Sequence, residues 1–117
     1  MNIEELREYC LSKPSVTEGF PFDEVTLVFK VGGKMFLLTT LNEAFRINLK
    51  NTPDKVIELQ EEYSSVYPGY HMNKRHWITV SIDGSIPDTT ICRWIDESYN
   101  LIVSSLSKKI KDELNLK

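Results

Sequence analysis

The chain has 117 residues, of which 41% are hydrophobic and 26% charged, and its formal net charge at pH 7 is −3. This composition is typical of a globular protein, and the length predicts a single domain over residues 1–117. No apolar run reaches the roughly 18 residues that a bilayer-spanning helix needs. The acidic start MNIEELREYC also lacks the basic and apolar regions of a signal peptide. We therefore expect a cytoplasmic protein with no membrane partner.

The first predicted element is a helix over Ile3–Leu11. Asn2 stands at its N-cap position, and Glu5 occupies the place of the reciprocal partner in a capping box. Pro14 ends the helix. The following segment Ser15–Phe22 is predicted to be a loop whose aromatic residues fold back over the core.

Three strands are predicted next, as an antiparallel meander. Val25–Val31 is rich in β-branched and aromatic residues. A two-residue turn at Gly32–Gly33 follows, since both positions favour positive φ, and Met35–Leu41 returns. In the third strand Phe45, Ile47 and Leu49 alternate with polar residues, which predicts one buried and one exposed face; the polar members are Arg46, Asn48 and Lys50.

The remaining elements are a second helix over Pro53–Tyr63, capped by Thr52, and a strand over Trp77–Ile82. The loop between them is Tyr67–Trp77, and a third helix starts near Pro87 or Asp88 and runs toward the chain end. This order predicts an α+β fold: an antiparallel sheet, made of the meander plus a further strand, with three helices packed on one face. The other face is expected to be partly open to water.

Cys10 and Cys92 are the only cysteines, and both fall on apolar positions of predicted helices. Buried free thiols are therefore expected. Their wide separation in sequence does not match the ligand spacing of a zinc site.

The loop YPGYHMNKRHW holds the densest set of polar side chains in the sequence. His71 and His76 are five positions apart, and no cysteine or carboxylate lies between them. This spacing disfavours a metal site. No serine stands in a nucleophile elbow. Ser98 and Tyr99 would serve as a nucleophile only if the fold brought them to the loop. We therefore predict no catalytic residue, no metal site, no cofactor and no enzymatic activity.

Anion binding fits the loop better. Lys74 and Arg75 supply positive charge, and an arginine forks onto phosphate. Asn73 and the two histidines add N–H donors. The patch is extended by cations of the meander, namely Lys30, Lys34, Arg46 and Lys50. Tyr70 or Trp77 offers an aromatic ring on which a base can stack. In the alternative interpretation, the His and Asn side chains only tie the loop to the sheet. The acidic net charge counts against a dedicated nucleic-acid binder.

The sequence resembles the MmcQ/YjbR family of small bacterial proteins along nearly its full length. The similarity rests on four blocks: FPF at Phe20–Phe22, FKVGGKMF at Phe29–Phe36, PGYHMNKRHW at Pro68–Trp77 and SYNLIVSSL at Ser98–Leu106. Ser15 departs from the family pattern, because a glycine is expected there. The resemblance implies a compact α+β fold similar to the frataxin-like CyaY fold, and DNA binding. The residues that it points to are Lys30, Lys34, His71, Asn73, Lys74, Arg75, His76 and Trp77.

These observations predict a non-catalytic module that binds DNA or a nucleotide phosphate through the loop, and a monomer is favoured. The alternative is a protein-interaction or regulatory module in which the loop is structural. An unidentified protein would then dock on the exposed sheet face and Ser15–Phe22. An enzyme that acts on a small anionic metabolite, with His71 or His76 as acid–base group, ranks last.

Overall fold

The computed structural model describes residues 1–116 as an antiparallel six-stranded sheet with helices packed against one face, which confirms the predicted α+β class. The strand order across the sheet is β1-β2-β3-β4-β6-β5. The elements in chain order are α1 Ile3–Leu11, β1 Val16–Gly19, β2 Thr26–Val31, β3 Lys34–Thr40, β4 Arg46–Lys50, α2 Pro53–Glu62, β5 Val66–Pro68, β6 Trp77–Ser81, α3 Asp88–Ser105 and α4 Lys108–Glu113.

The main hydrophobic core lies between the helices and the sheet. Leu6 and Cys10 of α1 and Ile95 of α3 are fully buried there, against Phe29 of β2 and Phe36 of β3. Cys10 is thus buried as predicted, whereas Cys92 is only partly buried. The helix stripes therefore cover one face of the sheet and leave the other free for a different role.

Local signals at the start of α1 and between β2 and β3 act as the sequence predicted. The Asn2 side chain accepts the Glu5 N–H at 2.8 Å, and Glu5 accepts the Asn2 N–H at 3.1 Å, which completes the capping box. The turn residues Gly32 and Gly33 have φ of 59° and 81°, the region that side chains disfavour.

The expected loop over Ser15–Phe22 is wrong in its first half, because Val16–Gly19 forms β1. This strand pairs antiparallel with β2, with Val16 opposite Val31. The aromatic residues beyond it do not cover the core, since Phe20 is 47% exposed and Phe22 is 63% exposed. With only four residues at the sheet edge, β1 is too short to show a clear alternation.

The third predicted helix is divided in two, so the structure has four helices among residues 1–116 instead of three. Leu106 takes an extended conformation after α3, and the Ser107 side chain accepts the N–H of Ile110 at 3.2 Å as the N-cap of α4. A serine competes for backbone donors and favours a helix start over a helix interior, which explains the break.

None of the helices within residues 1–116 combines the length and the apolar composition needed to cross a membrane.

Candidate functional site

The face of the sheet that points away from the helices, here called the open face, is locally cationic. Its strand positions contain three charged side chains, Lys30 of β2 and Arg46 and Lys50 of β4, and all three are positive. Their orientation follows from the strand alternation, because their neighbours Phe29, Ile47 and Leu49 lie in the core on the helix side.

The Tyr67–Trp77 segment folds across this face. It begins as β5, in which Tyr67 pairs with Thr79 of β6, so the expectation of a loop from Tyr67 onward is wrong for Tyr67 and Pro68. Met72 then packs on a small apolar patch formed by Val28, Leu38 and Trp77 in the centre of the open face. The segment is therefore anchored to the sheet by apolar contact.

Hydrogen bonds inside the segment use several of its polar groups. Asn73 accepts the Arg75 N–H through Oδ1 at 2.9 Å, and its carbonyl oxygen accepts the N–H of Trp77 at 3.0 Å. The Lys74 Nζ donates to the Gly69 carbonyl oxygen at 3.1 Å. Asn73 and Lys74 thus both hold the segment together. The structural interpretation expected such a role for Asn73, whereas Lys74 was expected to serve anion binding.

A shallow depression of about 360 Å³ lies next to the segment. Arg46 and Ser81 line it together with Tyr67 and Tyr70, and these two tyrosines are 47% and 63% exposed. The ring of His71 lies 4.0 Å from that of Tyr70, measured between centroids. The depression therefore combines a guanidinium group with two accessible aromatic rings.

A buried threonine fixes the floor of the depression. The Thr79 hydroxyl accepts the backbone N–H of Tyr70 at 3.0 Å and lies 2.6 Å from the Asn48 Oδ1, to which it donates. This connection places Tyr70 beside β4, where Arg46 emerges. The Arg46 guanidinium is 3.7 Å from Glu43, and an exposed pair of this kind competes weakly with a ligand.

Two of the predicted cations lie on opposite sides of the sheet. Lys30 is on the open face, whereas Lys34 pairs with the core-facing Val31 and its Nζ lies 3.3 Å from the Ser105 hydroxyl. The short two-residue turn makes positions 31 and 34 cross-strand neighbours whose side chains lie on the same face of the sheet. Because side chains alternate along a strand, the side chain at position 30 lies on the opposite face from that at position 34. Lys30 and Lys34 thus do not belong to one patch.

The remaining predicted residues differ in accessibility. Trp77 is only 7% exposed in the patch with Met72, so its ring presents little surface for stacking. His76 is partly buried, and its carbonyl oxygen accepts the Asn51 N–H at 2.9 Å. His71 and Arg75 are exposed.

The candidate nucleophiles of the third predicted helix are held by hydrogen bonds to backbone carbonyl groups outside the loop. Ser98 is fully buried on the helix side of the sheet, where its hydroxyl donates to the Phe36 carbonyl oxygen at 2.6 Å. The Tyr99 hydroxyl donates to the Pro14 carbonyl oxygen at 2.7 Å. Both groups connect helix α3 to neighbouring backbone. Across residues 1–116, no three His, Cys, Asp or Glu side chains are grouped closely enough to hold a metal ion.

Tyr67 is the aromatic residue of the depression that was not identified as a candidate from the sequence. Tyr67 lies opposite Thr79 because it belongs to β5. That strand has only three residues, so the sequence pattern does not reveal it. Arg46 was identified as an extension of the patch, because the alternation over positions 45–50 already placed it on the polar face.

Comparison with known proteins agrees with the architecture. The sequence profile of the YjbR family matches residues 11–101. The chain belongs to the YjbR family. It is 40% identical over 107 residues to the uncharacterized protein YbdF of Escherichia coli O157:H7, covering 91% of this chain and 88% of the relative. It is 34% identical over 110 residues to the uncharacterized protein YjbR of E. coli K12, covering 93% of each.

Solved structures show the same fold. The crystal structure of the Deinococcus radiodurans protein DR2400, a DUF419 domain, superposes with a TM-score of 0.93 at 37% identity, covering 99% of this chain and 89% of that one. A Pseudomonas syringae crystal structure gives a TM-score of 0.77 at 28% identity, covering 87% and 99% respectively. None of these names states a ligand or an activity. The comparisons therefore support the family and the fold, and the function must be argued from the surface itself.

Proposed function

We propose that this protein is a non-catalytic module that binds a nucleic acid, such as DNA, or a nucleotide phosphate on the open face of its sheet. The observation that supports this most directly is the depression in which Arg46 meets the exposed rings of Tyr67 and Tyr70. A guanidinium group forks onto phosphate oxygens. Each base stacked on an aromatic ring contributes about 1–3 kcal/mol.

The distribution of charge makes this compatible with a net charge of −3. All charged side chains at the open-face strand positions are cationic, and the exposed Arg75 adds another cation from the loop. A small patch of this kind predicts weak binding, in the range of about 10⁻⁴–10⁻⁶ M that is typical of nonspecific contacts. It also predicts that affinity falls as salt rises.

The first experiment measures fluorescence anisotropy of a labelled single-stranded DNA of about 12 nucleotides, a length within reach of one small domain. The double variant Arg46→Ala/Lys50→Ala should bind less tightly, and its salt dependence should decrease by about 0.7 in log–log slope for each lost phosphate contact. The matched control Lys34→Ala/Lys108→Ala removes the same charge away from the open face. The proposal is wrong if low salt gives no binding or if the control loses as much affinity.

The second experiment separates stacking from charge. Replacing Tyr67 or Tyr70 by alanine should weaken single-stranded DNA binding by about 1–3 kcal/mol for each base that is no longer stacked, with the salt slope unchanged. Ile57→Ala is a matched control, because Ile57 is an exposed apolar residue on α2. Unchanged affinity in both tyrosine variants would remove stacking from the proposal.

Docking of a protein partner is the second candidate function. The observation that favours it is the exposure of Phe20 and Phe22 beyond the end of β1, at 47% and 63%. An exposed pair of large apolar side chains is typical of an interaction surface. Co-purification of one stoichiometric partner, lost on Phe22→Ala and retained on Ile57→Ala, supports this candidate. Retention on Phe22→Ala counts against it.

A further inference from the structure

A groove of about 930 Å³ lies on the helix side of the sheet, between the start of α1 and the strands β2 and β3. Leu27 and Thr39 form its buried floor, and the partly buried Ile3 and Phe45 form its walls. Its volume falls within the range of about 300–1,000 Å³ that is usual for small-molecule sites. It lies on the opposite side of the sheet from the Arg46 depression, so it is a separate feature.

The floor of the groove favours an apolar occupant. The Thr39 hydroxyl, the polar group on the floor, already donates to the Arg46 carbonyl oxygen at 2.8 Å. Within residues 1–116, every buried polar side-chain atom has a hydrogen-bond partner. At the mouth, Phe20 and Leu41 are each 47% exposed, and covering them removes apolar surface from water. The body of a ligand here is therefore expected to be apolar.

The rim of the groove is negatively charged. It contains the carboxylates of Glu4, Glu18 and Glu43, one cationic side chain, Arg7, and Met1, whose N-terminal ammonium is paired with the Asp88 carboxylate at 3.3 Å. Arg7 is already bound to Glu18, with a distance of 2.9 Å from its Nε to the Glu18 Oε2. The excess negative charge thus lies on Glu4 and Glu43. The Arg46 guanidinium lies 3.7 Å from the Glu43 carboxylate, and both side chains of this pair are exposed.

The N-terminus of α1 also borders the groove and has the opposite electrostatic preference. Its partial positive charge is offset by the first-turn carboxylates Glu4 and Glu5, and the capping box satisfies the N–H groups of Asn2 and Glu5. Full charges on the rim exceed the half-charge of a helix end. The rim therefore favours a cationic group.

We propose that this groove binds a small organic molecule with an apolar body and a cationic head such as an amine. The body lies over Leu27 and Phe45 and is covered by Phe20 and Leu41. The head lies at the rim within reach of Glu4 and Glu43. The charge preference distinguishes this site from the open face, which selects anions.

Three probes of one shape test the proposal: naphthylmethylamine, naphthylmethanol and naphthoate. Each is titrated into the full-length, isotopically labelled chain, and amide chemical shifts are followed by NMR. We expect shifts at Leu27, Thr39 and Leu41. The amine should bind roughly tenfold more tightly than the carboxylate at low salt. Preferential binding of naphthoate, or shifts that map outside the groove, would overturn the proposal.

Variants then assign the charge preference to the rim. Glu4→Gln/Glu43→Gln should bring the affinity for the amine down to that for the alcohol and leave the affinity for the alcohol unchanged. Both glutamates are exposed, so the fold is expected to tolerate the change. Glu58→Gln/Glu61→Gln on α2 is the matched control and should have no effect. An amine preference that survives in the rim variant contradicts the proposed role of Glu4 and Glu43.

Discussion

The backbone N–H of Gly69 donates to the carbonyl oxygen of Trp77 at 3.1 Å, and a Cβ atom on Gly69 would lie only 2.8 Å from the Cβ of Trp77. Glycine is required here by space, because real Cβ contacts are almost never this short. The contact joins the two ends of the loop that crosses the open face. Its closeness fixes where Tyr70 emerges over the sheet.

Gly69→Ala should therefore lower the free energy of unfolding by about 1–3 kcal/mol, the usual cost of overpacking. Urea denaturation followed by circular dichroism measures this. Gly19→Ala is the control, because no atom lies within 4 Å of a Cβ at that position. Equal losses of stability in the two variants would show that the contact with Trp77 is not the cause.

The sequence was sufficient to predict elements whose pattern is long or chemically distinctive. The capping box of α1 follows from Asn2 and Glu5 alone, and the alternation at 45–50 placed Arg46 on the correct face. The edge strands β1 and β5 were not predicted, since they have four and three residues and pair on one side only. Such short runs do not establish a period.

For the loop, the sequence located the polar residues but could not assign their roles. It cannot show that Lys74 bonds to Gly69 or that Met72 packs against Trp77, because both contacts depend on how the chain folds back on itself. The separation of Lys30 from Lys34, in contrast, was implicit in the predicted Gly32–Gly33 turn. A two-residue turn fixes the register of both strands.

Ser15 adopts a left-handed backbone conformation with φ of 61°, which explains why a glycine is expected at this position of the family pattern. We expect Ser15→Gly to stabilise the protein by about 0.5–1 kcal/mol, since relief of the left-handed strain exceeds the added entropy of the unfolded chain. Thermal unfolding measures the effect. Ser12→Gly is the control at φ of −72° and should not stabilise.

The Ser98 hydroxyl connects α3 to two strands. It donates to the Phe36 carbonyl oxygen at 2.6 Å and accepts the Lys50 N–H at 2.9 Å, where β3 and β4 stop pairing directly. Ser98→Ala leaves both buried backbone groups without this partner, so the free energy of unfolding should fall by about 1–3 kcal/mol. Chemical denaturation checks this. Ser104→Ala, an exposed position on the same helix, should be nearly neutral, and equal effects would contradict the role of Ser98.

Asp23 makes stability dependent on pH in the acid range. The N–H groups of Val25 and Thr26 donate to its Oδ1 at 2.9 and 2.6 Å, and these bonds hold the pKa of Asp23 below its ordinary value of 3.8. The ionised form is favoured in the folded state. Its stabilising contribution is therefore fully present above the unfolded pKa and is lost as pH falls through the folded pKa.

Asp23→Asn should accordingly be less stable than the wild type near neutral pH, and the difference should shrink as the pH falls from about 4 toward 2. Urea midpoints measured at a series of pH values test this. A difference between the two proteins that stays constant over the whole range would show that the charge of Asp23 does not contribute.

The two thiols should differ in reactivity. Burial raises the pKa of Cys10 to about 12, and the side chain is fully buried. For the partly buried Cys92, desolvation is the main reason that the pKa is raised, and the nearby carboxylates of Asp96 and Asp88 act in the same direction. Because the thiolate is the reactive form, both should react more slowly than free cysteine, and Cys10 more slowly than Cys92.

Labelling with an aromatic disulfide reagent near pH 8, in native buffer and in urea, measures these rates. The variants Cys10→Ser and Cys92→Ser assign each phase to one thiol. Cys10 should react only as fast as the protein opens, so its labelling should accelerate with added denaturant, whereas Cys92 should react in the folded state. If Cys10 reacts in native buffer as fast as Cys92, the core around Cys10 opens more readily than its complete burial indicates.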